Sequence, residues 1–336
     1  MALNHTVRIM PHERSISVPE DLPVLAAAQQ AGLPLPHGCR SGRCGSCRAR
    51  LLSGRIVYPA GPPPGLSAQE ISQGFVLLCQ ALARTDLVVE ARLVQSSAEA
   101  QIQTLPARIV RRVPLAADVM QLWLRVPAAE SLEFLAGQYL DVLLAGGLRR
   151  SYSVANAPLT GSEFELHVRH IPSGAFSAAV FGSLRDGAQL KIEGPFGRFI
   201  FQSATEPVIF IAGGTGFAPI KAMLNQALAE NSARELQLYW GAHDAPGLYE
   251  AALVRDWARR NPRLTLHTVL SGASAGPYRA GWVHEAVLGD HPTLAPFAIY
   301  AAGPPAMIAA IERTFPVQGA QPERLYLDSF EYASDP

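Results

Sequence analysis

The spacing of four cysteines constrains this chain more than any other feature of its sequence. Cys39, Cys44 and Cys47 lie within nine residues, and Cys79 follows after 31 intervening residues. Three thiolates on one tight loop and a fourth from a distant strand form the ligand pattern of a [2Fe–2S] cluster. A disulfide framework is implausible with four cysteines in a chain of 336 residues. The pattern therefore predicts that these four cysteines ligate a cluster.

A four-cysteine zinc site and free thiols are the alternatives to the cluster. Zinc sites usually pair their cysteines in two C-x2-4-C knuckles, whereas the fourth cysteine of this chain stands alone. Gly38, Gly42 and Gly45 interleave with the first three cysteines, and glycines allow the backbone to bend around a small inorganic group. The spacing thus favours iron–sulfur ligation over zinc.

Composition excludes several classes of function. Lys and Arg (28) balance Asp and Glu (28), whereas nucleic-acid binders usually carry a basic excess, so no nucleic-acid partner is expected. The most apolar stretch, residues 208–220, is short and broken by three glycines and a proline, which predicts no membrane span. The N-terminus lacks the apolar core of a signal peptide, and we therefore expect a cytoplasmic protein.

The pattern of apolar residues changes along the chain and predicts three domains, at 1–95, 104–203 and 204–336. The first segment contains strands around one short helix, with a hairpin whose turn is at Ser53-Gly54. A polar stretch at about 94–103 predicts a linker. Short β-like runs in the second segment predict a small antiparallel barrel. Strands that alternate with helices in the third predict a doubly wound parallel sheet, so the fold class is multidomain α+β and α/β.

The second segment contains a pattern that suits a flavin. A flavin requires an aromatic ring against the isoalloxazine, a polar group near N5, and donors for its phosphates. Tyr152 and Ser153 on a predicted strand supply the first two. Arg150 and the start of a short helix, from Gly174 to Ser177, supply the third.

The third segment contains two loops that suit a nucleotide. The apolar strand VIFIA runs directly into Gly213, Gly214, Thr215 and Gly216 and then into a helix. Glycines between a strand and a helix leave backbone N–H groups open to a pyrophosphate. A second loop, with Gly303 and Pro304, also follows a predicted strand. Loops at the carboxyl ends of parallel strands can converge on one ligand.

With these motifs in this order, the chain resembles, over essentially its whole length, flavin-dependent ferredoxin reductases with an N-terminal [2Fe–2S] domain. Terephthalate and benzoate dioxygenase reductases are similar at LHVRHIPSGAFS and AGGTGFAPIK. Reductases named for CDP-6-deoxy-glucoseen are equally similar at VLLCQA, RRSYSVANAP and GGTGFAPIK. The resemblance implies a β-grasp ferredoxin domain, a six-stranded antiparallel FAD-binding barrel and an NAD(H)-binding doubly wound domain.

The resemblance also implies ligands for the cofactors. The Arg-x-Tyr-Ser motif that binds FAD in this family matches Arg150, Tyr152 and Ser153. The resemblance implies that Gly174, Ser177 and Arg169 contact the FAD pyrophosphate. It also implies that the glycine-rich loop and Gly303-Pro304 bind the nicotinamide nucleotide. Ala302 stands where the family often has a cysteine.

The implied activity is electron transfer from NADH to FAD, then to the [2Fe–2S] cluster, and finally to an external acceptor. We expect the acceptor to be a Rieske non-haem iron oxygenase that acts on an aromatic compound, and we expect the reductase to be a monomer. The alternatives are a sugar-nucleotide 3-deoxygenation enzyme, a di-iron monooxygenase or an O-demethylase as acceptor. A non-enzymatic alternative is a ferredoxin-like binding module fused to a degenerate nucleotide sensor.

Two further residues have expected roles at the nicotinamide. Phe330, in YLDSF, resembles the terminal aromatic residue that covers the flavin in this family, and together with Ser153 it is our candidate for a catalytic residue. Asp244 follows the strand ELQLYWGA, where it could accept a hydrogen bond from a ribose hydroxyl and repel a 2′-phosphate. Since no Lys or Arg lies between Arg234 and Arg255, we expect NADH to be preferred over NADPH.

Overall fold

The computed structural model describes residues 3–33, 35, 42, 47–91, 102–130, 132–158, 163–172, 174–202, 204–230, 232–272 and 276–330. Cys39, Cys44 and most of the predicted linker lie outside these residues. The chain divides into two compact units, Met1–Glu99 and Ala100–Pro336. Within the described residues, every helix is too short or too polar to cross a bilayer.

The first unit is built on a five-stranded sheet in the order β2-β1-β7-β3-β5, in which β1 and β7 are parallel. Helix α1 buries Val24, Leu25, Ala27 and Ala28, and it ends just before Gly32, whose positive φ of 69° suits a helix terminus. The elements are β1 (Asn4–Met10), β2 (Arg14–Pro19), α1 (Val24–Gln30), β3 (Arg48–Ser53), β4 (Ile56–Val57), α2 (Ala68–Ser72), β5 (Phe75–Leu77), β6 (Leu82–Ala83) and β7 (Leu87–Glu90).

The predicted hairpin at Ser53-Gly54 is wrong. Strand β3 pairs with β5 and β7, whereas β4 pairs with β6 in a separate two-stranded sheet. Gly54 has a positive φ of 97°, and a Cβ there would lie 2.3 Å from the carbonyl oxygen of Asp86. The glycine therefore allows the chain to pass close to the segment before β7 and leave the sheet.

The second unit begins with a six-stranded antiparallel sheet in the order β11-β10-β13-β8-β9-β12. A bridge between Val154 and Leu166 joins its two edges and closes a barrel around one apolar core, which confirms the predicted barrel. The elements are β8 (Gln103–Ala116), β9 (Val119–Arg125), β10 (Tyr139–Leu143), β11 (Arg149–Ser153), β12 (Glu163–Arg169), α3 (Ala175–Phe181) and β13 (Gln189–Phe196).

The rest of the second unit is a six-stranded parallel sheet in the order β17-β16-β15-β14-β18-β19. Alternate residues of β14 enter two different apolar cores, one on each face, so the sheet is doubly wound as predicted. The elements are β14 (Val208–Gly213), α4 (Phe217–Ala229), β15 (Leu236–Ala242), α5 (Ala251–Arg260), β16 (Leu264–Leu270), β17 (Arg279–Ala280), α6 (Val283–Asp290), β18 (Ala298–Gly303), α7 (Pro305–Thr314) and β19 (Leu325–Ser329).

The order of these strands fixes where a ligand can bind. Strand β15 lies on one side of β14 and β18 lies on the other, so the chain reverses its direction of winding between β14 and β18. In open α/β sheets, ligands bind at such a reversal, outside the carboxyl ends of the strands. The glycine-rich loop and the Gly303-Pro304 loop both begin there.

Candidate functional site

Two of the four predicted cluster ligands lie in the described residues, and both are buried. The exposed fraction is 3% for Cys47 and 6% for Cys79. The N–H of Leu78, next to Cys79, donates to the Cys47 carbonyl at 3.2 Å. A Cβ on Gly42 would lie 2.9 Å from Gln80, so Gly42, which lies between Cys39 and Cys44 in the sequence, is close to the segment that holds Cys79. This proximity is what a four-thiolate cluster site requires.

Tyr58 lies beside these two cysteines and was not singled out from the sequence. Its hydroxyl oxygen accepts from the Leu77 N–H at 2.9 Å. Burial is the main cause that raises the pKa of Tyr58 to about 12; the hydrogen bond from Leu77 opposes the rise, and the charges of Cys47 and Cys79 add to it. The phenol therefore stays neutral and can serve as a hydrogen-bonding wall of the cluster pocket.

The Arg-x-Tyr-Ser segment forms strand β11 at one edge of the barrel sheet. Arg150 donates from Nη1 to the Arg149 carbonyl at 2.8 Å. The ring of Tyr152 packs on Phe176 with 5.4 Å between centroids, and burial raises the pKa of its phenol. Ser153 is 8% exposed. The strand thus has the guanidinium, aromatic ring and hydroxyl that the sequence predicted for a flavin.

Gly174 and Ser177 come together at the start of α3. The Ser177 hydroxyl accepts from the Ile171 N–H at 3.1 Å and lies 3.2 Å from the Gly174 carbonyl, to which it can donate. A Cβ on Gly174 would lie 2.7 Å from the same hydroxyl. In the structure, Ser177 therefore shapes the loop before α3, and the glycine is required for that close approach.

The two predicted nucleotide loops interlock. A Cβ on Gly216 would lie 2.0 Å from the Ala302 carbonyl oxygen, and a Cβ on Gly213 would lie 2.7 Å from the Cδ of Pro304. A Cβ on Gly303 would lie 2.9 Å from the Cα of Gly213. Gly214 has a positive φ of 55°. Thr215 is half-buried between these glycines. The absence of side chains thus brings both loops to one place at the strand ends, as a nucleotide cradle requires.

Arg169 extends from the barrel to this cradle. Its Nη2 would lie 3.4 Å from a Cβ on Gly214, and its Nη1 lies 3.5 Å from Asp118 Oδ2. The Nε of Arg169 is buried and has no hydrogen-bond partner among the described residues. The sequence assigned Arg169 to the FAD pyrophosphate, and the structure places its guanidinium beside the glycine-rich loop. A cation with an unsatisfied donor fits an anionic ligand at this position.

Asp244 occupies the turn after β15. Its Oδ1 accepts from the Gly247 N–H at 3.1 Å, and the side chain is otherwise exposed. Asp244 therefore caps the turn at Ala245–Gly247 and keeps a carboxylate at the surface beside the carboxyl end of β15.

Phe330 lies immediately after β19 and beside the Gly303 loop. Its N–H donates to the Gly303 carbonyl at 2.8 Å, and its half-buried ring packs on the core of the parallel sheet. Asp328, two residues earlier, pairs with Ala302 in the sheet register. Burial raises the pKa of the Asp328 carboxyl to about 7. This group was missed from the sequence, where an aspartate in a terminal strand gives no sign of being desolvated.

We expect Asp328→Asn to be more stable than the wild type at pH 8. The folded chain keeps the Asp328 proton up to about pH 7, whereas the unfolded chain loses it near pH 4. The stability of the wild type therefore falls as pH rises between these values. Because the side chain is only half-buried, we expect a gain of about 1–2 kcal/mol at pH 8.

Thermal unfolding of the two proteins at pH 4 and pH 8 checks this expectation. Asp290→Asn is the matched control, because burial raises the pKa of Asp290 but Arg279 and Tyr239 outweigh it and lower that pKa. The control should lose stability at pH 8. If the wild type and Asp328→Asn have the same thermal midpoint at pH 8, burial does not raise the pKa of the Asp328 carboxyl as we expect.

Family profiles match the chain in three consecutive segments. Residues 7–84 match the 2Fe-2S iron-sulfur cluster binding domain, residues 106–201 the oxidoreductase FAD-binding domain, and residues 210–313 the oxidoreductase NAD-binding domain. These matches confirm the predicted cofactors, which are a [2Fe–2S] cluster, FAD and NAD(H).

Individual proteins are similar over nearly the full length. The CDP-6-deoxy-L-threo-D-glycero-4-hexulose-3-dehydrase reductase of Yersinia pestis is 34% identical over 91% of this chain and 92% of its own. Reductase component 1 of the terephthalate 1,2-dioxygenase of Comamonas sp. is 32% identical over 98% of both chains. The crystal structure of the Amycolatopsis cytochrome P450 reductase GcoB superposes with a TM-score of 0.83 and 31% identity, over 98% of this chain and 100% of that one.

Proposed function

Because this chain belongs to the family of flavin reductases that carry a [2Fe–2S] ferredoxin module, we propose that it supplies electrons from NADH to a terminal oxygenase. When bound, FAD accepts a hydride from NADH as an electron pair, and the flavin and the cluster allow single electrons to leave. The observation that carries the proposal is the position of Arg169, a residue of the barrel, whose Nη2 would lie 3.4 Å from a Cβ on Gly214 of the nucleotide cradle. This position lies where the barrel proposed to hold FAD meets the loop proposed to bind the nicotinamide nucleotide.

In the proposed reaction, the residues of this chain bind the cofactors and orient them towards one another. The interlocked glycine loops leave room and N–H donors for a pyrophosphate. We propose that FAD is held on the barrel by five residues, Arg150, Tyr152, Ser153, Gly174 and Ser177. We propose that the cluster is ligated by Cys39, Cys44, Cys47 and Cys79. Such positioning converts an encounter between two cofactors into a reaction within one site.

The proposed acceptor is a Rieske non-haem iron oxygenase that acts on an aromatic compound. The Comamonas relative, whose name makes it the reductase component of a terephthalate 1,2-dioxygenase, supports this choice. A sugar-nucleotide 3-dehydrase is the second candidate, because the Yersinia reductase is 34% identical against 32% for the Comamonas one. The same electron-transfer core would serve either acceptor.

The test supplies the purified reductase and NADH to each purified terminal component with its own substrate. The proposal expects product formation with the dioxygenase component at a rate that rises with reductase concentration. Turnover with the dehydrase alone would replace the oxygenase by the second candidate. Size-exclusion chromatography of the same preparation tests the proposed monomer.

We expect the wild type to use NADH with a kcat/KM at least roughly tenfold above that for NADPH, which corresponds to a free-energy difference of about 1.4 kcal/mol. The carboxylate of Asp244 would repel the 2′-phosphate. Asp244→Asn should raise kcat/KM for NADPH while an amide oxygen keeps the cap on Gly247.

Asp244→Asn removes the charge alone, whereas Asp244→Ala removes both the charge and the hydrogen bond to Gly247. The difference between the two variants therefore separates the effect of the charge from that of the cap. Steady-state kinetics with both nucleotides on the three proteins gives the comparison. Equal use of NADPH and NADH by the wild type would overturn the proposed role of Asp244.

Phe330→Ala should change the KM for NADH or the rate of flavin reduction without loss of FAD. The reason is the position of Phe330 beside Gly303, from which an aromatic ring can cover the flavin until nicotinamide enters. Tyr326→Ala is the matched control, since Tyr326 stacks on Tyr300 at 4.5 Å and anchors the same strand. If both variants lose only thermal stability and keep wild-type kinetics, Phe330 is an anchor and not a gate.

A further inference from the structure

A cluster of buried polar side chains joins the barrel to the parallel sheet of the second unit. Glu165 and His167 come from β12 of the barrel. Lys221 comes from α4, the helix that follows the glycine-rich loop. Tyr249 and Glu250 come from the segment just before α5. The side chains of His167, Glu165 and Lys221 are 0%, 3% and 6% exposed.

Lys221 is the centre of this cluster. Its Nζ donates to Glu165 Oε1 at 2.6 Å and to Glu250 Oε1 at 2.8 Å. Burial raises the pKa of Glu165, but His167 and Lys221 outweigh it and lower the pKa to about 2. Glu165 is therefore charged across the physiological range, and the Lys221–Glu165 pair is an ion pair between the two modules.

His167 adds a second connection between the modules. Its Nε2 lies 2.9 Å from Glu165 Oε1, and its Nδ1 lies 2.9 Å from the Tyr249 hydroxyl. Since a carboxylate can only accept, Nε2 carries a hydrogen, and Nδ1 is left for the hydroxyl of Tyr249. The imidazole is thus held by both modules at once.

Metal binding does not explain the cluster. One ligand atom each from Glu165, His167 and Glu250 lies within 4.8 Å of the others, which is the spacing of a metal site. The ammonium of Lys221, however, binds both carboxylates and occupies the place of a cation. The lysine supplies the charge that a metal would otherwise bring.

The cluster continues towards the nucleotide cradle. Glu165, His167 and Arg169 alternate along β12, so they lie on one face of the strand. Along this face, Glu165 contacts α4, His167 contacts Tyr249, and Arg169 lies beside Gly214. One strand of the barrel therefore contacts the helix that follows the glycine-rich loop and the segment before α5, and it lies beside the cradle itself.

Buried ion pairs contribute little net stability, because the cost of desolvating both charges offsets their attraction, but they can specify one arrangement of the groups they join. We infer that Glu165 and Lys221 are positioning residues that fix the orientation of the flavin barrel relative to the nucleotide cradle, and so set the distance for hydride transfer. The inference rests on the proposed function, in which hydride passes between these two modules.

The test is the double variant Glu165→Gln/Lys221→Met, which removes the ion pair with side chains of similar size. Stopped-flow absorbance measures flavin reduction by NADH and by 4-deuterated NADH, expressed per bound FAD. We expect the rate to fall roughly tenfold to a hundredfold, the cost of an ångström-scale misplacement, with a primary isotope effect at least as large as that of the wild type. FAD content should stay close to the wild-type value, whereas the thermal midpoint should fall, because Glu250 loses the lysine that it binds.

Glu163→Gln is the matched control, because Glu163 lies on the same strand but is partly exposed and pairs with Arg125, a residue of the same barrel module. The control should reduce its flavin at the wild-type rate. The dissociation constant for NAD⁺, measured by its perturbation of flavin absorbance, gives a readout without turnover and should change little in the double variant.

The outcomes separate the inference from the function on which it rests. A double variant that reduces its flavin at the wild-type rate would overturn the positioning role. Loss of FAD or of folding with a normal rate per bound flavin would also overturn it, because the pair would then be structural. A wild type whose flavin NADH does not reduce would instead overturn the proposed function.

Discussion

Cys79→Ser should reduce the NADH-dependent reduction of cytochrome c to background while ferricyanide reduction stays within about twofold of the wild type. Cys79 is 6% exposed and lies beside Cys47, so its loss removes a proposed cluster ligand from the first unit. The FAD- and NAD-binding segments lie in the second unit. Acceptors that take electrons from the flavin should therefore be unaffected, and those that need the cluster should fail.

Cys44→Ser is the companion variant and should behave in the same way, because both thiolates are proposed ligands of one cluster. Both assays are run on preparations matched for FAD content, and iron is measured in each. Equal loss of the two activities at full FAD occupancy would contradict the order of electron transfer. Unchanged cytochrome c reduction would remove Cys79 from the path.

Gly216→Ala should weaken NAD⁺ binding at least roughly tenfold, the effect of a loss of about 1.4 kcal/mol, with FAD retained on the barrel. The added Cβ would lie 2.0 Å from the Ala302 carbonyl oxygen. Since that oxygen belongs to backbone at the end of β18, the two loops must move apart. Overpacking of this kind costs about 1–3 kcal/mol of stability. Here the strain would arise in the two loops that form the cradle.

Gly289→Ala is the matched control for this substitution. Gly289 lies in α6 of the same sheet module, where a Cβ meets only the end of the flexible Arg279 side chain, at 3.1 Å. Calorimetric titration with NAD⁺ should find wild-type affinity for the control. Wild-type affinity in Gly216→Ala as well would show that the close approach of the two loops does not shape the binding site.

Features that depend on neighbours in sequence were predicted well. The cysteine spacing predicted an iron–sulfur domain, and the glycines after VIFIA predicted a nucleotide-binding domain; the family profiles match both segments. The barrel and the doubly wound sheet follow from the periodicity of their strands and helices. Both were confirmed.

Features that depend on distant partners were not predictable. The turn at Gly54 has the composition of a hairpin, yet β3 pairs with β5 and β7. Lys221 lies in an apolar helix, and nothing around it in sequence shows that Glu165, 56 positions away, neutralises it. The desolvation of Asp328 likewise depends on the packing of the last strand beside β18.

Anaerobic titration of the purified full-length chain with NADH, followed by absorbance and electron paramagnetic resonance, tests the central claim most directly. We predict that NADH bleaches the flavin bands and produces the paramagnetic signal of a reduced [2Fe–2S] cluster in the same sample. A preparation that binds zinc in place of iron would contradict the account. So would a flavin that NADH reduces while the cluster stays oxidised.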